Sequence, residues 1–451
     1  MATTSEPVSG ARDVTADLYA RLDGATPAGR AEIVRDLIAG RPDERLELPA
    51  RGELRANLAG AALAGASLSL ANLRGADLRE ADLSEAVLGK ANLEDALLEQ
   101  ATLQGADLAG ATLRGAALGK ANLCEALLEE ADLREAGLRF ADLGGAALES
   151  ANLQRADLWG ATLQGATLTD ADLRNVTCRE TDMRDADLTG ATLRNAELRK
   201  VDLRGARLRR ANLQGATLTG SDLTDAVLGE AELQGLDLSS CTLTHVHLGG
   251  AWLDKTRLRR DQLGGAVGEE LSGDYEGAAR GYLALDRNFA DLGDSDASAW
   301  AYGKKRRMQK LAARQRARAA LGERAWRHAS REYIRYATAQ LVEWVCDYGE
   351  SIPRVLTSIL MVYLVYTTLY GVTGSVLLVG DTTGNAAPRA VTHRPVDLVI
   401  FSLFAITTSG SPSVGLAPNG EWVQLLTGTE AFLGIFLTGL LGFVAGNKIR
   451  R

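Results

Sequence analysis

The run Thr407, Thr408, Ser409, Gly410, Ser411, Pro412 holds the residues whose types and spacing point most directly to chemistry. Its hydroxyls and closely spaced carbonyls are the groups that replace water around a cation crossing a membrane. Pro412, with its fixed φ, ends or bends the run. Glu430 follows in an otherwise apolar stretch, where an acid is a candidate for supporting such a run or attracting cations. Its place about one turn inside that stretch suits the membrane interface equally well. Gly434, Gly439 and Gly442 then permit either helix bending or close helix packing. Enzymatic chemistry is not expected: there is no phosphate loop, nucleophile motif or HExxH, and the other carboxylates are dispersed. No cofactor is expected beyond a permeant ion. The pair His245 and His247 lacks an acid or thiol spaced to join it, so no metal site is expected.

Three apolar segments must position these residues. Val355 to Val379 carries no charge and exceeds the roughly 20 residues a bilayer requires. Leu425 to Val444 holds Glu430 and runs on to Lys448, Arg450 and Arg451. Between them, Val396 to Ile406 is apolar except for Asp397 and too short to span, which predicts a re-entrant helix. Span, half-helix, Thr-rich loop and span make the layout of a pore, and one such set cannot enclose a path alone. Lys304, Lys305, Arg306, Arg307 and Lys310 precede the first span, whereas the intervening loop holds only Arg389 and Arg394. The positive-inside rule then places both termini in the cytosol and the protein, as a multi-pass one, in the inner (plasma) membrane. The four cysteines show no paired spacing, which fits a reducing compartment.

On these residues, 350–451 resembles the two-transmembrane pore module of potassium-channel-type proteins. Thr407, Thr408 and Gly410 match the start of that family's Thr-Thr-x-Gly-x-Gly loop, and Gly434, Gly439 and Gly442 suit its inner helix. The resemblance implies a tetramer in the lipid bilayer, with Thr407 to Pro412 as the filter. The family's Val-Gly-Tyr-Gly is replaced here by Ser409-Gly410-Ser411-Pro412, so cation conduction carries over and potassium selectivity does not.

Upstream, a leucine recurs at every fifth position from Leu58 to Leu263, interrupted only by Cys178 and Met183. A small residue, mostly alanine, stands two places before nearly all of them. Neither the helix period nor the strand period divides five, so a square coil with one five-residue side per repeat is the geometry that keeps both positions inside. The pattern A(D/N)LXX, as in Ala76-Asp77-Leu78 and Ala151-Asn152-Leu153, resembles the pentapeptide-repeat family. That resemblance implies a β-solenoid, a right-handed quadrilateral β-helix of roughly ten coils and about 50 Å. The expected domains are an N-terminal helical cap (1–50), the β-helix (51–265), a helical connector (266–350) and an α-helical two-transmembrane pore domain with a re-entrant pore helix (351–451). The connector has the helical-hairpin pattern of a tetratricopeptide unit, broken at Gly293 to Ser298. Tyr333, Tyr336, Ala337, Leu341 and Trp344 then suit a helix lying on the cytosolic leaflet or an ordinary packed one.

Residues 20 apart should stack on one side of such a coil. Arg174 with Arg194, Arg179 with Arg199, and Arg184 with Arg204 stack in this way and join Arg209 in a basic belt. The belt suits an anionic partner or ligand, or a solvated surface balanced by neighbouring aspartates. Phe140, Trp159 and Trp252 face outward. The reading that follows is a tetrameric cation channel with a cytosolic repeat domain for sensing, partner binding or assembly. The alternatives are a non-conducting membrane-anchored scaffold and a DNA-mimicking topoisomerase binder. The basic belt makes the rod a poor mimic of DNA, and nucleic acid is not expected as a partner of a chain of net charge −8.

Overall fold

A computed structural model describes residues 18, 20–40, 56–349, 351–374, 376–378, 390–407 and 416–450, and divides the chain into two compact units, Met1–Met308 and Gln309–Arg451.

The first unit is built on the five-residue repeat. Asn57 bridges Asp77, Asp77 bridges Leu97, and parallel rungs continue in 20-residue steps to the pair Asp237–Arg257. Twenty residues at five per side make a four-sided coil. Leu78 and Ala76, like nearly every residue at their two positions, are fully buried in its interior. The backbone pays its polar groups into the stack: Leu58 N–H donates to the Asp77 carbonyl at 2.7 Å, and Asp77 N–H returns to Ala56 at 2.9 Å. Each corner closes on itself, as where Ala61 N–H donates to the Leu58 carbonyl at 3.0 Å.

Closure requires a left-handed residue at every fifth position, and from Gly60 to Lys255 all but Ser240 have φ between +54° and +85°. Many are not glycine. Glu80, Lys90 and Asn175 adopt a conformation that costs an L-residue roughly 1–2 kcal/mol. The corner bond, together with a cross-coil bond such as Glu80 N–H to Glu99 at 3.0 Å, offsets that cost. Polar residues at the alanine position are also accommodated. The Thr181, Ser221 and Thr256 hydroxyls donate at 2.8, 2.6 and 2.7 Å to the carbonyls of Leu158, Leu198 and Leu233 in the preceding coil.

At the start of the stack lies α1 (Pro27–Gly40), with Ala31 and Val34 buried. Arg30 donates to the Ala59 carbonyl at 2.6 Å and Arg35 to that of Ala62 at 2.9 Å. At the other end a 3-10 turn, Arg260–Leu263, brings the Gln262 amide to the carbonyls of Leu238 and Cys241. Helices α2 (Gly268–Ser272) and α3 (Tyr275–Asp291) follow. Asn288 exchanges two hydrogen bonds with the Thr256 backbone, and the Tyr282 hydroxyl accepts from Val267 N–H and donates to Glu270. Helix α4 (Ser295–Gly322) begins inside the segment expected to be a break, since Asp294 accepts from Ala297 N–H and starts the helix early.

In the second unit α5 (Trp326–Cys346) packs on the end of α4, where Lys310 pairs with Glu343, and Arg316 with Glu332 at 3.0 Å. Lysines 304, 305 and 310 are thus held by Glu270, Asp286 and Glu343 and are mostly buried, so this part of the basic stretch is not a free cationic surface. Helices α6 (Ile352–Thr373), α7 (Pro395–Thr407) and α8 (Glu421–Arg450) pack on one another. A small antiparallel sheet joins them, with β1 (Val376–Leu378) between β2 (Ala390–Val391) and β3 (Leu416–Pro418). Its core comprises Tyr370, Val376, Leu398, Phe401, Leu416 and Val423. Ile352–Thr373 and Glu421–Gly446 are each long and apolar enough to cross a membrane.

Candidate functional site

Proline at its first position and Asp397 in its first turn start α7, since both suit an N-terminus whose amides lack partners. Thr392 strengthens that start by donating to the Asp397 carboxylate at 2.6 Å. Thirteen residues of helix rise only about 20 Å, less than the roughly 30 Å of a bilayer core. The carbonyl end of α7, which carries the negative end of the helix dipole, therefore stops at Thr407. The Thr407 hydroxyl donates back to Leu403 at 2.6 Å. Thr408, Ser409, Gly410, Ser411 and Pro412 lie outside the described residues.

Glu430 is where the three helices meet. Its carboxylate is fully buried and accepts from the Tyr370 hydroxyl of α6 at 2.7 Å and from the Ser402 hydroxyl of α7. The acid therefore sits inside the protein. Two further tyrosines continue the contact along α6: Tyr363 donates to the Val399 carbonyl at 3.1 Å, and Tyr366 shares a 2.9 Å hydrogen bond with Thr429. Tyr370 also meets Phe401 edge-on at 5.1 Å. Sequence reading passed over these three tyrosines, although their spacing of three and four places them on one helix face.

The inner-helix glycines separate into two kinds. A β-carbon on Gly434 would collide with the carbonyl oxygen of Ile406 near the end of α7, so this glycine allows α8 to lie against it. Gly439 and Gly442 meet nothing within 4 Å, and within a single chain they serve no packing contact.

The basic belt of the rod is a ladder of ion pairs. Arg174, Arg184 and Arg204 each fold onto the aspartate two residues earlier at 2.5–2.6 Å. Arg179 and Arg199 share Glu197 at 3.5 and 3.2 Å, and Arg209 meets Glu230 at 2.6 Å. Hydrogen bonds from Arg184 and Arg204 hold Asp182 and Asp202 below the usual carboxylate range. Those from Arg209 and Arg210 bring Glu230 down to about 2. Of the seven belt arginines, Arg194 is exposed with no ion pair among the described residues. Thiol chemistry is disfavoured in the rod, where burial pushes Cys178 up strongly and Cys241 to about 11. His247, expected to lack an acidic neighbour, has the Glu269 carboxylate 3.9 Å away, brought there by α2. Among the described residues no cluster of histidine, cysteine and acid suits a metal ion.

Outward aromatics concentrate at two places. Phe140 packs on Trp159 with ring centroids 5.5 Å apart, and the Arg139 guanidinium lies 4.6 Å over Trp159. Gly160 makes room for this, because a β-carbon there would strike the Phe140 ring. Trp252, the second, is 58% exposed.

Comparison with known proteins bears on the rod alone. The model of the family described as pentapeptide repeats matches in eight copies over 55–89, 91–129, 113–149, 151–190, 186–225 and 221–260. Among solved structures, HetL of the cyanobacterium Nostoc sp., a pentapeptide repeat protein involved in heterocyst differentiation regulation, is 35% identical. That match covers 50% of this chain and 93% of HetL, with a TM-score of 0.24. QnrB1, a plasmid-mediated fluoroquinolone resistance protein, is 20% identical over 40% of this chain and 91% of its own, with a TM-score of 0.23. A pentapeptide repeat protein of the Arabidopsis thaliana thylakoid lumen is 28% identical over 24% and 70%, with a TM-score of 0.11. The repeat match and the identity across nearly all of HetL establish the kinship. No curated protein matches the chain.

Proposed function

The chain belongs to the pentapeptide-repeat family, and on that footing we propose that its second unit is one quarter of a cation-conducting pore in the plasma membrane, with the rod as a cytosolic sensing, partner-binding or assembly domain. One observation carries the reading: a short apolar helix, ended at a Thr-Ser-Gly run, is fastened by buried hydroxyl–carboxylate bonds between two helices of spanning length. A membrane anchor needs neither a third, half-length helix nor a fixed angle for it. Leu356, Leu360, Leu364 and Val372 on α6, with Phe432, Phe436 and Phe443 on α8, are exposed, and such a surface calls for lipid or for further copies of the chain. The α7 carbonyl end favours cations beside the run that begins at Thr407.

Purified full-length protein in planar bilayers tests this reading. Discrete openings are expected, with a reversal potential set by cations over anions. Replacing Gly410 with tryptophan should abolish the current or alter its selectivity. Persistent silence would instead favour the non-conducting membrane-anchored scaffold, and unchanged conductance in Gly410→Trp would remove the Thr407–Pro412 run from the conduction path.

A further inference from the structure

A cleft of about 360 Å³ lies between the last coil of the rod and α3. Trp252 and Asp254 line it from the coil, and Leu283 and Ala284 from the helix. Arg280 and Arg287 line the same cleft, and with Leu283 and Ala284 they fall at i, i+3, i+4 and i+7, one face of α3. Their spacing corresponds to a rise of about 10 Å along the helix. Six arginines of the belt are neutralised by carboxylates within 4 Å, yet neither Arg280 nor Arg287 has such a partner among the described residues. Both are exposed, as is Trp252. An unshielded aromatic plane beside two unpaired guanidinium forks is a poor arrangement for solvent and a good one for a specific ligand. The indole offers a stacking surface, the forks pair with an oxyanion, and Asp254 accepts from a ring amine. The volume falls within the range of small-molecule sites.

We infer that this cleft binds a small anion bearing a flat unsaturated ring, of the nucleoside monophosphate class, with the ring on Trp252 and the phosphate on Arg280 and Arg287. The site lies wholly within the first unit and goes beyond the pore reading. Its test is a binding measurement, so it stands or falls whether or not current is found.

Full-length protein in detergent would be titrated with adenosine monophosphate, adenosine and inorganic phosphate by calorimetry. Saturable binding of the monophosphate is expected, with either fragment at least about tenfold weaker. Trp252→Ala and the double variant Arg280→Ala/Arg287→Ala should each lose about tenfold or more while retaining the wild-type melting temperature of the rod, because all three side chains are exposed. Absence of saturable binding, or undiminished binding in the double variant, would overturn the assignment. Equal affinity for phosphate alone would overturn the role of the ring, and equal affinity for adenosine that of the arginines.

Discussion

In the rod, Leu78 and Leu158 have the same surroundings although they lie four coils apart: an alanine two places back, rungs to the coils on either side, and a left-handed corner two places on. In the helical unit Glu430 has no second copy of its setting, and three helices from distant parts of the sequence must arrive together to satisfy it. The rod spreads its determinants over many equivalent contacts, so damage to one should stay local. Helices α6, α7 and α8 share one buried carboxylate, and the cost of losing it should be felt in all three.

The sharpest way to break this contrast is Glu430→Leu. Tyr370 and Ser402 would lose their shared acceptor, at about 1–3 kcal/mol for each buried hydroxyl left unpaired. Thermal unfolding in detergent should show the helical transition lowered and the rod transition unmoved; an unaltered helical transition would show that the carboxylate is dispensable. Next comes Leu148→Ala, which opens a cavity costing about 2–5 kcal/mol. Hydrogen exchange should quicken only in that coil and its immediate neighbours, because each coil touches only the next. Uniform quickening along the whole rod would contradict local damage.

The smallest effect concerns acid. Asp182, Asp202 and Glu230 titrate lower in the folded chain than an ordinary carboxylate, so their contribution is present above the ordinary range and lost as pH falls through the lowered values. For Glu230 that window runs from 4.5 down to about 2. The melting temperature of the rod should fall across it, more weakly at high salt, because these pairs are partly exposed. A rise in melting temperature on acidification would reverse the assigned sign.

The coil was legible because a period of five with leucine and alanine at fixed places admits few geometries. Its corners were not: Glu80 or Lys90 in a left-handed conformation leaves no mark in composition, and the hydrogen bonds within the corner and across coils make it tolerable. The three apolar segments and the short length of α7 were likewise readable from hydropathy. The setting of Glu430 was not, because hydropathy registers an acid near a span end without the hydroxyls of Tyr370 and Ser402, which are remote in sequence. The arginine stack was foreseeable from the 20-residue step. Its neutralisation depends on side chains folding back onto aspartates two residues away, a local choice the repeat alone does not dictate.

The two arginines of α1 have a bearing on how copies of the chain meet. A parallel stack ends in carbonyls that another stack could join, and Arg30 and Arg35 occupy two of these, at Ala59 and Ala62. With those acceptors plugged by guanidinium, head-to-tail growth of rods into filaments is blocked at that end. Contacts between copies are then left to surfaces other than this tip of the rod.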